Sequence, residues 1–120
     1  MVLKSDPYFM EPEYWGPFFW KTIESVVCSM DEHDEISKEY VYSFFYSLQN
    51  VLPCPTCRQH YQEFFSSHDL RQVLDEKKKI FQWVYTLKMD IRRRNESSVD
   101  YSFDDYISEI QRTFQPHGIQ

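Results

Sequence analysis

The stretch Leu52-Pro53-Cys54-Pro55-Thr56-Cys57-Arg58-Gln59-His60 gathers the chain's most reactive residue types into its shortest span. A Cys-x-x-Cys at the start of a helix brings both sulfurs within one turn, close enough to close a small disulfide ring. Unpaired backbone N–H groups at a helix N-terminus favour negative charge, so a thiolate is stabilised there, and Arg58 adds a cation beside it. Such a pair suits thiol–disulfide exchange. Spacing alone leaves three chemistries open: half of a zinc site, a thioredoxin-like redox site, or a redox-active disulfide on a helical scaffold. Zinc takes four ligands. A helical binding module holding zinc through Cys54, Cys57 and His60 would have to find its fourth among Cys28 and the scattered His33, His68 and His117. A thioredoxin-like site needs βαβ units.

A second constellation is Tyr14-Trp15-Gly16-Pro17-Phe18-Phe19-Trp20. It reads either as a helix start with ordinary core aromatics or as a set of flat apolar walls for a flat partner. Aromatic residues make up 18% of the chain, whereas glycine occurs only twice, and hairpin-rich strand proteins need more glycine than that.

The elements that must position these groups are helical. From Pro17, a residue suited to a first turn, Phe19, Ile23, Val26 and Met30 follow helical spacing. A polar break spans Asp31 to Asp34. A second helix is expected from near Ile36, with Ile36, Tyr40, Val41, Phe44, Leu48 and Leu52 on its inner side, ending at Pro53. The third runs from Cys54 to about Ser66 and carries Tyr61, Phe64 and Phe65. The fourth reads from about Leu74 to Arg94 with Ile80, Trp83, Val84, Leu87 and Ile91 inward. Asn95-Glu96-Ser97-Ser98 is turn chemistry. The fifth places Phe103, Tyr106, Ile107, Ile110 and Phe114 on one face, and the tail from Gln115 is expected to fray. Neither an internal repeat nor a linker interrupts the pattern. Short connections between helices favour an antiparallel all-α bundle. The expectation is one domain over residues 1–120, with its core at about 13–114.

Composition narrows the function. With 42% hydrophobic and 27% charged residues, the chain reads as a globular protein with a real core. Thirteen basic against nineteen acidic residues give a net charge of −6, which disfavours nucleic acid as a partner. No apolar run approaches the roughly 18 residues that span a bilayer. The N-terminus shows neither a secretory apolar stretch nor an Arg-rich transit pattern, so a cytoplasmic location is expected.

Taken together, W-G-x-x-x-W, a helix, L-P-C-x-x-C and a helix containing Trp83 closely resemble the FAD-dependent sulfhydryl oxidases of the Erv/ALR family. The resemblance runs from Trp15 to Tyr106. With His60 three residues past the second cysteine, the chain looks most like the short enzymes of large cytoplasmic DNA viruses, poxviruses included. The resemblance implies a four-helix bundle with a short fifth helix, cradling FAD. It implies a thiol oxidase that takes electrons from a dithiol protein, or from a thioredoxin-like relay, through Cys-x-x-Cys and FAD to O₂, giving hydrogen peroxide. By it, Cys57 is the flavin-proximal sulfur and Cys54 exchanges with substrate. Trp15, Gly16, Trp20 and His60 fall on flavin contacts, and Trp83 falls near the adenine. It also implies a homodimer through the first two helices, for which Tyr42, Phe45 and Tyr46 are candidates, and a site of action in host cytoplasm or virion.

The chain departs from the family's pattern in several places. Glu24 stands where the first helix usually has His, and is expected at the edge of the flavin pocket. In the helix-four signature Lys88 replaces His, Met89 replaces Asn, and Arg92 replaces the second Asn; Lys88 and Arg92 are candidates to meet the pyrophosphate as cations. Tyr85 and Asp105 occupy the two positions that a disulfide joins in cellular members. Cys28 reads as a packing thiol, with an intersubunit or mixed disulfide as the alternative.

Overall fold

The computed structural model describes residues 12–94 and 101–114. Five α-helices follow in order: α1 (Pro12–Ser29), α2 (Glu35–Val51), α3 (Pro55–Ser67), α4 (Lys77–Arg94) and α5 (Phe103–Phe114), with a 3₁₀ turn at Leu70–Val73 before α4. Among the described residues there is no strand, so the all-α expectation holds. The expected turn at Asn95–Ser98 and the tail from Gln115 lie outside the described residues.

α1 starts at Pro12, before the expected Pro17, which sits inside the helix. Pro12 takes the first-turn role that its fixed φ suits. α2 is capped by Asp34, whose carboxylate accepts the Ile36 N–H at 3.0 Å. Lys77 joins two helix ends. Its Nζ donates to the Cys28 carbonyl in the last turn of α1 at 2.7 Å, and its own N–H, opening α4, donates to Glu32 at 2.8 Å.

The inner face of α2 differs from the expected one. Ile36 and Tyr40 are 65% and 73% exposed, while Lys38, Val41, Phe45 and Leu48 face inward. Both sets satisfy helical spacing. Burying the second set requires Lys38 to be satisfied, and Asp75 (3.1 Å) together with Glu35 supplies the partners. Phe45 is accordingly fully buried against Trp83, with centroids 5.4 Å apart, and is not an interface residue; Tyr46 remains exposed and Tyr42 is half-buried.

α2 and α3 form a tight antiparallel hairpin. The Tyr61 hydroxyl donates to the Phe45 carbonyl at 2.6 Å, and the Gln62 amide to the Gln49 carbonyl at 2.9 Å. α1 packs on α4 and α5, and the core runs between these groups through Val27, Phe45, Ile80, Val84 and Tyr106, none of which is exposed. Cys28 is half-buried against this core, and burial pushes its thiol up.

α5 is held to α4 by Tyr85. Its hydroxyl donates to the Tyr101 carbonyl, and its ring meets Phe103 edge-on at 5.6 Å and Tyr106 at 5.9 Å. Asp105 is exposed on the first turn of α5, so the contact that Tyr85 makes with this helix is aromatic and does not involve Asp105. Tyr85→Phe is expected to cost about 1 kcal/mol for the lost hydrogen bond. Tyr85→Ala is expected to cost roughly 3 kcal/mol as the packing goes too. Urea unfolding monitored by circular dichroism checks both.

Candidate active site

The break between α2 and α3 sets the geometry of the cysteine pair. Cys54 is the N-cap of α3 in an extended conformation, and Pro55 opens the helix. The Cys57 N–H donates to the Cys54 sulfur at 3.4 Å, so the donor end of the helix is aimed at Cys54 rather than at Cys57. Arg58 secures the break: its N–H bonds the Cys54 carbonyl at 2.9 Å and its guanidinium donates to the Leu52 carbonyl at 2.5 Å.

Cys54 is 3% exposed, whereas Cys57 is half-buried and opens onto a cavity of about 170 Å³. That is slightly larger than the ~150 Å³ void that admits a single aromatic ring. One side is α1, with Trp15, Gly16, Phe19 and Trp20; the facing side is Cys57 and His60 of α3. Leu48 and Leu52 close the α2 end, and Leu87 and Ile91 the α4 end. Trp15 and Phe19 meet edge-to-face at 5.6 Å. A Cβ added at Gly16 would meet no protein atom within 4 Å, so this glycine leaves open space.

The apolar setting shifts the chemistry of Cys57. Its thiol is pushed up to about 12, first by burial and then by the hydrogen bond and charge of Cys54; the backbone N–H and Arg58 oppose this only in part. The thiolate stabilisation expected from helix position therefore does not reach Cys57 in the reduced pair.

A second recess of about 300 Å³ lies beside the first and shares Trp20 and Ile91 with it. Glu24, Lys88 and Arg92 line it, with Lys21 and Glu109 at the edge. Lys88 is paired with Glu24 at 3.3 Å, and the Arg92 guanidinium lies 4.9 Å from the Tyr101 ring centre.

The structure thus brings Trp15, Gly16, Trp20, Cys57 and His60 to one cavity and Glu24, Lys88 and Arg92 to its neighbour. Trp83 reaches neither. It is buried among Phe45, Tyr61, Phe64 and Phe65, and its Nε1–H donates to the His68 carbonyl at 2.9 Å. Asp90 and Arg94 also line the cavity and were not among the site residues named from the sequence. Arg94 bonds Asp90 at 3.0 Å and Glu63 of α3 at 3.3 Å. The signal was available, since both continue the Leu87 face by one and two helical turns. Among the described residues, no three His, Cys, Asp or Glu side chains gather as metal ligands, so the zinc alternative has no support. Nor is any helix among them long and apolar enough to cross a membrane.

Comparison with known proteins gives the chain a family and relatives. The profile of a family described as Erv1 / Alr family matches residues 17–113. Three viral proteins whose names contain the words FAD-linked sulfhydryl oxidase are similar to the chain. The one from Invertebrate iridescent virus 3 is 23% identical over 86 residues, covering 71% of this chain and 58% of the relative. The one from Acanthamoeba polyphaga mimivirus is 26% identical over 109 residues, covering 89% and 76%. The one from Fowlpox virus is 31% identical over 51 residues, covering 42% and 50%. The chain therefore spans less than two thirds of the iridescent-virus and fowlpox relatives.

The raised Cys57 thiol has a directional consequence. Thiolate is the reacting form, so alkylation of reduced Cys57 by iodoacetamide should rise about tenfold per pH unit between roughly pH 7 and 10 without a plateau. The unfolded chain releases this proton first, near the ordinary cysteine value of about 8.5, so stability of the reduced fold should fall as pH rises above that value. Mass spectrometry of the alkylated peptide reads the first, and a plateau near pH 8 would contradict the burial argument.

Proposed function

The chain belongs to the Erv1/Alr family, and from that membership we propose that it is a flavin-linked thiol oxidase that forms disulfide bonds in dithiol proteins. The observation that carries this reading is Cys57 of the Cys-x-x-Cys opening onto an aromatic-walled cavity sized for a flat ring. The residue types fit FAD: the aromatic-walled cavity would take one edge of the three-ring isoalloxazine, which is larger than the enclosed space, and the adjoining charged recess suits the nucleotide part. Trp15, Gly16, Trp20 and His60 would hold the ring. Lys88 and Arg92 would line the pyrophosphate side, with Glu24 beneath them. Trp83 acts from the core by packing α3 against α4. Bound FAD would supply the two-electron acceptor that disulfide formation needs and a route to O₂, with hydrogen peroxide as product.

The protein's own part is thiol exchange. With Cys54 and Cys57 joined, a substrate thiolate attacks the Cys54 sulfur, the Cys54–Cys57 bond breaks, and a mixed disulfide forms as Cys57 leaves. The second substrate thiol then attacks that mixed disulfide on the substrate's sulfur. It leaves with both sulfurs oxidised, and Cys54 is freed as a thiol. Because Cys54 is buried, the residues that cover it must yield for the attack. A thioredoxin-like relay or a substrate protein in the cytoplasm or virion would present the dithiol. A homodimer would use the exposed Ile36, Tyr40 and Tyr46 of α2. Residues 1–120 would act as one oxidase domain.

Cys54→Ser and Cys57→Ser should each abolish dithiol-driven oxygen uptake while leaving flavin bound, read with an oxygen electrode and an absorption spectrum. In Cys54→Ser, Cys57 should give a long-wavelength charge-transfer band that grows as pH rises, because the band needs the thiolate and burial holds that thiol up; that band in Cys57→Ser instead would reverse the assignment of the two sulfurs. Full activity in either variant removes the mechanism. Gly16→Ala should keep or raise helix stability by about 0.5–1 kcal/mol yet weaken FAD binding about tenfold by filling the cavity. A flavin titration beside thermal unfolding separates the two effects.

A further inference from the structure

Glu24 lies one turn beyond Trp20 on α1 and is only 1% exposed. A carboxylate so buried is tolerated only with partners. It has two on one oxygen: the Tyr106 hydroxyl at 3.0 Å and the Lys88 ammonium at 3.3 Å. Lys21 approaches the other oxygen at 3.9 Å. Lys88, 14% exposed, faces two rings as well, 5.2 Å from the Trp20 centroid and 5.1 Å from that of Tyr106. One ammonium therefore sits among a carboxylate and two aromatic rings drawn from α1 and α5. Burial and the Glu24 charge hold the Tyr106 phenol well above its ordinary range, so it remains a donor. The indole concerned, together with Ile91, lines both recesses.

We propose that Glu24, Lys88 and Tyr106 form a positioning network for Trp20, in which Lys88 fixes the plane of the indole that lines both the ring cavity and the charged recess. Glu24 and Tyr106 hold the ammonium, and the ammonium restrains the indole through its π-face. The two departures at Glu24 and Lys88 are then a single matched exchange. Only the consequence for flavin affinity rests on the function proposed above.

The test labels the full chain with 5-fluorotryptophan and follows fluorine resonances without flavin, assigned through Trp15→Phe, Trp20→Phe and Trp83→Phe. In Lys88→Met the Trp20 signal should move and broaden while Trp83 stays, the melting temperature should fall, and FAD should bind about tenfold more weakly. Glu24→Gln/Lys88→Met leaves no buried charge unpaired, so its melting temperature should recover. Its Trp20 signal should nevertheless stay displaced and its FAD affinity low. Lys88→Arg, which also stacks on aromatic faces, should keep the wild-type signal. Recovery of the Trp20 signal along with stability in the double variant would make the pair merely structural and overturn the proposal, as would an undisturbed Trp20 in Lys88→Met. Should the wild-type chain bind no FAD, the oxidase reading fails, and the fluorine signals still decide the network.

Discussion

The three residues Leu52, Pro53 and Cys54 separate α2 from α3, and everything at the open end of the bundle depends on that break. Pro53 disfavours a helical conformation at Leu52, which leaves α2 at ψ 137°. Pro55 then restarts the helix with Cys54 as its cap. A connection this short makes α2 and α3 antiparallel neighbours, and the Tyr61 and Gln62 bonds to α2 carbonyls hold them there. Because Cys54 caps the helix, Cys57 lands within its first turn, facing Trp15 and Trp20 across the cavity.

Much of this was legible in the sequence, and the failures have physical causes. The limits of α5 were read as observed, because Phe103, Tyr106, Ile110 and Phe114 form one uninterrupted apolar stripe. The inner face of α2 was misread because Ile36 and Tyr40 are better hydrophobes than Lys38. Periodicity cannot foresee that Asp75, distant in sequence, makes Lys38 fit to bury. The spacing around Trp83 said that it points inward but not toward what, and the rings it meets come from α2 and α3. The joint cavity of Trp15, Gly16, Trp20, Cys57 and His60 was anticipated through motif resemblance and not through pattern. No local rule says that the start of α1 meets the start of α3.

The cavity also explains an apparent conflict between position and reactivity. A helix N-terminus favours thiolate, yet Cys57 is driven the other way because the walls that suit a flat ring cannot solvate a charge. The favourable N–H is directed at Cys54, so the two sulfurs occupy different electrical environments only three residues apart. Charge beside the cavity is matched at two places: Arg94 with Asp90 and Glu63, and Lys88 with Glu24 behind Trp20.

The Tyr85 contact bears on the order in which the chain can mature. Its three cysteines include none at Tyr85 or Asp105, so α5 docks through phenol, carbonyl and ring faces, groups that any reducing medium leaves untouched. A protein proposed to generate disulfides faces a priming problem if its own architecture must first be oxidised by another copy. Among the described residues no disulfide joins the helices, so the docking of α5 on α4 does not wait on oxidation.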